Sequence, residues 1–246
     1  MKKLLLIITI IFISFLSNIL YAQLGIDIEA GLIKSGYNDV RIPGDNGTLF
    51  SFSEDLKSDD EFFYRLRLNY KIGEKHNLSI LYAPLTIDAK GQFDQDVKFQ
   101  DLTFLSNTDI EGTYTFNSYR FTYRYDLYIE KSVEFGLGLT VKIRDAKITL
   151  KDNLQESTKD NVGFVPLINF RLFLKLNKQF GFLLEGDALA APQGRAEDVM
   201  AAFTYDVSKN VKAKLGYRIL EGGADNDEVY TFSLFHYLTA GIVFLF

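Results

Sequence analysis

Along most of this chain apolar and polar residues alternate with a period of two. Successive side chains of an extended strand point to opposite faces, so this alternation predicts strands with one apolar and one polar face. The clearest case is the segment Thr113–Tyr128. Tyr119, Phe121, Tyr123, Tyr125 and Leu127 fall on one face, and Ser118, Arg120, Thr122, Arg124 and Asp126 on the other. Ten segments read this way: Leu24–Ile33, Phe62–Ile72, Asn77–Ile87, Thr113–Tyr128, one beginning at Val133, Val162–Leu176, Gln179–Leu189, Asp198–Val207, Val211–Leu220 and Tyr230–Phe246. Pro84 has no N–H to donate and marks a bulge or an outer strand end within the third.

The connections alternate between tight and long. Gly73–His76, Glu130–Ser132, Asn177–Lys178 and Ser208–Asn210 are tight turns. Lys34–Glu61, Asp88–Gly112, Lys151–Asn161, Ala190–Arg195 and Glu221–Glu228 are longer and polar. Within the second long connection, Val97, Phe99 and Leu102–Phe104 could extend the neighbouring hairpin. Charged residues inside the strands fall almost wholly on one face, opposite a face of aromatic and aliphatic residues. Backbone groups in lipid are satisfied only by helices or closed barrels, and barrel strands alternate apolar-out and polar-in. The pattern therefore predicts an all-β, closed, antiparallel up-and-down transmembrane β-barrel of ten strands, with eight or twelve as the alternatives. The even count puts both ends of the barrel on one side.

Two further stretches carry a resemblance. The last strand, Tyr237–Phe246, sets Leu238, Ala240, Ile242, Phe244 and Phe246 on one face and ends on an aromatic residue. Residues 1–22 have the layout of a secretory signal peptide: Lys2 and Lys3, the apolar run Leu4–Leu16, then Leu20-Tyr21-Ala22 before Gln23. With the hairpin rhythm, these ends make residues 23–246 resemble bacterial outer-membrane β-barrel proteins. The resemblance is to a broad architectural class and picks out no subfamily. It implies residence in the outer membrane in contact with its lipid, and insertion by the barrel-assembly machinery. It also makes Phe244 and Phe246 part of the closing-strand insertion signal.

Composition agrees. The 246 residues include no cysteine, which excludes disulfides, thiolate metal sites and an N-terminal lipidated Cys. The net charge of −5 argues against nucleic acid as a partner. Mean hydropathy is close to zero, as expected for strands with one polar face.

Three groups of residues could carry chemistry. The inward face holds Asp27, Glu29, Arg65, Arg67, Arg120, Arg124, Lys142, Arg144, Arg171, Glu185, Asp187, Lys214 and Arg218. These either pair across the interior and fill it, or line a narrow pore that favours anions. The outer loops bring Glu197 and Asp198 near Glu221, Asp225 and Asp227, a possible acidic cluster at the rim. Its spacing is not that of an EF-hand loop. The two histidines, His76 in a tight turn and His236 on the lipid-facing register, form no catalytic pattern. The outer-membrane proteases of the omptin type use Asp and His at the outer rim, and the lipid A deacylases and acyltransferases use His with Ser and an acid. Neither arrangement is visible in this chain. No catalytic residue, metal ligand or cofactor is assigned. The expected role is non-enzymatic: structural, or a narrow conduit for small solutes or lipophiles. The rival is an enzyme acting on lipid A or surface peptides.

Overall fold

The computed structural model describes residues 22–58, 60–192 and 194–246. The predicted signal peptide lies outside the described residues apart from Ala22, where the first strand begins. Fourteen strands follow in order. They are β1 (Ala22–Arg41), β2 (Phe50–Ser51), β3 (Glu61–Ile72), β4 (His76–Ala83), β5 (Thr86–Gly91), β6 (Val97–Phe99) and β7 (Leu102–Phe104). Then come β8 (Ile110–Ile129), β9 (Val133–Lys151), β10 (Glu156–Lys175), β11 (Phe180–Ala191), β12 (Gly194–Asp206), β13 (Val211–Asp225) and β14 (Tyr230–Leu245).

Neighbouring strands pair antiparallel in the order β14-β13-β12-β11-β10-β9-β8-β4-β3-β1, and β14 returns to β1. The closing seam runs from Gly25 opposite Leu245 to Arg41 opposite Tyr230. β4 and β5 both pair with β8 and form one wall strand, interrupted at Pro84-Leu85. The barrel therefore has the ten predicted strands. Pairing of β14 with β1 removes the two end-strand edges of the sheet. The seam is tight at Gly31 (φ 157°), where an added Cβ would lie 2.0 Å from the Leu238 carbonyl oxygen.

The outer wall is apolar. Leu32, Leu66, Ile80, Phe121, Leu139, Phe164, Phe203, Leu215 and Leu238 are all exposed on it. Charged side chains of the same strands point inward and are buried. A water-soluble barrel would reverse the two faces, so this wall is a lipid-facing belt.

The strands are longer than the alternation predicts. β1 continues to Arg41, and β9 and β10 run through most of the predicted Lys151–Asn161 loop, leaving only residues 152–155 as connection. β11, β12 and β13 likewise reach Ala191, Gly194 and Asp225. Above the belt both faces meet water or loops, so the period-two signal fades while the backbone ladder continues.

The first two long connections are not solvated loops either. They supply Ile42, Phe50, Phe52, Leu56, Phe93, Val97, Phe99 and Phe104 to an apolar core with Ile33, Phe63, Ile110, Tyr114, Leu150, Phe235 and Tyr237 from the wall. This core fills the outer mouth on the β1, β3, β5 and β8 side. β6 and β7 pair only with each other and do not extend the hairpin, a role taken by β5. The two connections are tied together by Gln100 N–H donating to the Ile42 carbonyl (2.8 Å) and Thr48 N–H to the Lys98 carbonyl (3.0 Å). Gln155 on the β9–β10 turn donates to the Thr103 carbonyl at 2.8 Å. Gly44 packs so closely on the β13–β14 turn that a Cβ would sit 1.9 Å from the Asn226 carbonyl oxygen. The cap thus rests on both tall hairpins.

Candidate functional site

Ten charged side chains from six strands meet at mid-depth inside the barrel. Asp198 is the hub: it accepts from Arg218 (2.5 Å), Arg120 (2.6 Å) and Arg65 (2.9 Å). Arg120 also binds Asp187 (2.7 Å), which accepts from Thr140 (2.6 Å) and Asn169 (2.8 Å). Arg218 reaches Glu29 (2.9 Å), and Lys214 bridges Glu29 (2.6 Å) and Asp27 (2.7 Å). Arg67 binds Glu185 at 2.9 Å. A carboxylate flanked by several donors in a dry interior is stabilised only if its charge is balanced. Here Asp27, Glu29, Glu185, Asp187 and Asp198 balance Arg65, Arg67, Arg120, Lys214 and Arg218. Asp198 is 2% exposed and Arg218 1%, so the network fills its section of the interior. Asp27, Glu29 and Glu185 bring carboxylate oxygens within 4.8 Å of one another, but Lys214 and Arg67 supply the countercharge there.

Lys142 stands beside this network. It is 3% exposed, and among the described residues it has no ion-pair partner. Its Nζ lies 4.6 Å from the centre of the Phe116 ring. Above it opens a pocket of about 490 Å³ between β8, β9 and β10 on one side and β11 to β14 on the other. The β9–β10 side contributes Lys142, Arg144 and Lys159. The facing side contributes Leu189, Ala196, Leu220 and the backbone of Gly222 and Gly223. Arg144 donates to Asn161 Oδ1 at 2.5 Å, and its buried Nε has no partner. The β9–β10 side carries these three cations beside Asp160, and the facing side is largely apolar, with the paired Arg195 and Glu221 and with Glu228 on its border, an arrangement that suits an amphiphilic anion.

The remaining predicted residues divide by depth. Arg124 pairs with Asp126 (3.2 Å) and Arg171 with Glu134 (3.0 Å), both toward the tight-turn end and apart from the hub. Of the five predicted rim acids, Glu197 and Glu221 are direct cross-strand partners. Asp198 belongs to the interior hub, because strand alternation sends it inward while Glu197 points outward. Glu221 is held by Arg195 (2.6 Å) and by the Tyr37 hydroxyl (2.5 Å). Asp225 ends β13, and Asp227 sits exposed in the following turn. Phe244 pairs with Ile26 and Val211, and Phe246 N–H donates to the Leu24 carbonyl at 2.9 Å. His76 binds the Tyr123 hydroxyl (2.9 Å), and His236 binds that of Tyr217. They lie at opposite ends of the wall. Lys159 escaped sequence reasoning because it sits in a stretch read as loop; the only signal was the polar alternation continuing past Val162.

The closed antiparallel wall, the lipid belt and the buried charged interior define a class: this chain has the fold of the bacterial outer-membrane β-barrel proteins. A solved structure agrees on the fold by its TM-score, and two others are more distant. The outer membrane protease OmpT from Escherichia coli is 11% identical, with a TM-score of 0.59 over 91% of this chain and 97% of that one. Ail, the attachment invasion locus protein of Yersinia pestis, solved with the heparin analogue sucrose octasulfate, is 12% identical, with a TM-score of 0.40 over 91% of this chain and 99% of that one. The P. putida toluene transporter TodX is 6% identical, with a TM-score of 0.35 over 91% of this chain and 89% of that one. No protein-family model and no curated protein matches the chain.

Proposed function

We propose that this is a non-enzymatic outer-membrane binding protein that holds a small amphiphilic anion in the outer pocket, above an ion-paired section that seals the barrel. The observation that carries the reading is Lys142. The ten neighbouring charges balance among themselves, and among the described residues the buried Lys142 amino group on the pocket has no carboxylate within ion-pair distance. A buried charge needs a partner, and an anionic head group would supply it. The volume of about 490 Å³ lies within the range of roughly 300–1,000 Å³ usual for small-ligand sites. The burial of the hub favours a sealed barrel over the anion-favouring pore. The separation of His76 from His236, and the engagement of each by a tyrosine, favour binding over catalysis. The test is fluorescence titration of the refolded barrel in nanodiscs with 11-(dansylamino)undecanoate. Saturable binding, weakened at least tenfold in Lys142→Met, is expected. No saturable binding by the wild type, or equal affinity in Lys142→Met, overturns the reading.

A further inference from the structure

The wall of the barrel is parted beside this pocket. β10 and β11 pair only from Ile168 opposite Ala188 to Lys175 opposite Gly181. Beyond Ile168, β10 continues to Glu156 with β9 as its sole partner. β11 runs three residues past Ala188, to Ala191, with β12 as its sole partner. Continuing the register would place Leu167, Pro166 and Val165 opposite Leu189, Ala190 and Ala191, yet none of these pairs forms.

The local chemistry explains the parting. Lys175 N–H donates to the Ser132 carbonyl, on the β9 side. Backbone groups of a strand point alternately to its two neighbours, and β10 has no register shift against either partner. Odd-numbered residues of β10 therefore address β9, and even-numbered ones address β11. Pro166 is even. The donor it lacks is one that would have bonded β11, so it ends the ladder where the strands separate.

The parting lies at the level of the lipid belt's outer margin. Ile143 of β9 is an exposed apolar residue paired with Phe164, and the next outward position, Asp145, is polar. Phe164 and Pro166, on the lipid side, and Val165 and Leu189, on the inner side, all border the same pocket. The pocket therefore reaches the membrane face through the wall. The cap on the two tall hairpins partly covers it from above.

Resting on the proposed binding role, we infer that the β10–β11 parting is a lateral port. Through it the chain of a single-chain, fatty-acid-type anion passes from the outer leaflet, with its head group drawn to Lys142 and Arg144. The apolar margin suits the chain, and the cationic β9–β10 wall suits the carboxylate. A two-chain lipid is a poorer fit to a volume near the lower end of the small-ligand range.

The chain has no cysteine, so a pair can be introduced cleanly. Phe164→Cys with Ala190→Cys places both thiols on the lipid side, where a short bismaleimide would bridge the port without entering the pocket. In proteoliposomes, transfer of 11-(dansylamino)undecanoate from the bilayer should be at least tenfold slower in the bridged than in the unbridged double variant. Equal rates before and after bridging, with wild-type binding intact, overturn the port and leave the binding role standing. Absence of wild-type binding overturns both. As a second readout on the unaltered protein, a bilayer-borne diazirine fatty acid should label the segments holding Phe164–Pro166 and Leu189. Labelling spread evenly around the belt would refute the port, and preferential capture of a dansylated phosphatidylglycerol would refute the single-chain assignment.

Discussion

Replacing Asp198 with Asn tests whether the membrane section is sealed by charge pairing. The substitution keeps the shape and removes the charge shared by Arg65, Arg120 and Arg218. Removing one partner of a buried pair costs about 3–5 kcal/mol, because the other charge stays buried without compensation. Arg120 keeps Asp187 at 2.7 Å and Arg218 keeps Glu29 at 2.9 Å, whereas Arg65 keeps only Glu29, at 3.6 Å. The loss should therefore be about 3–5 kcal/mol, dominated by Arg65, rather than three times that figure. Urea unfolding of the refolded barrel in lipid vesicles, followed by tyrosine fluorescence, measures it. Adding Arg65→Met should return part of the loss, with a coupling of roughly 0.5–3 kcal/mol between the two sites. A loss below about 1 kcal/mol, the value of an exposed pair, would mean that water reaches the hub. The sealed-barrel argument would then fail.

Three other outcomes follow from the same structure. Arg195→Ala breaks a pair with Glu221 whose arginine is 45% exposed, so unfolding in urea should shift by less than about 1 kcal/mol; a larger shift would show that the rim bears on barrel stability. Phe52→Ala empties a wholly buried position in the outer cap and should cost about 3–5 kcal/mol, read as faster trypsin cleavage after the exposed Lys57; unchanged cleavage would show that the cap does not depend on that core. Gly31→Val drives a side chain toward the Leu238 carbonyl and should reduce the heat-modifiable folded band on gels severalfold; normal folding would contradict the tight seam.

The sequence by itself determined the wall. Lipid outside and a charged interior inside force period-two alternation, so the ten strands, their facing and the Pro84 break were legible residue by residue. The inward set from Asp27 to Arg218 was legible for the same reason, since a charge can satisfy itself only on the inner face. The alternation also determined that Asp198 and Glu197 face opposite ways, although proximity to a turn drew Asp198 into the predicted rim cluster. Tertiary structure alone decided which charges meet. Arg65 and Asp198 are 133 residues apart in the chain and 2.9 Å apart in space, and local pattern carries no information about partners across a closed barrel. It also decided that Phe50, Phe52 and Phe99 fold into the mouth, because isolated apolar residues in polar stretches have no period to reveal them. The parting of β10 from β11 was likewise invisible along the chain. Pro166 removes one donor, but whether that donor faces β9 or β11, and whether a pocket lies behind it, depends on the register of two neighbouring strands.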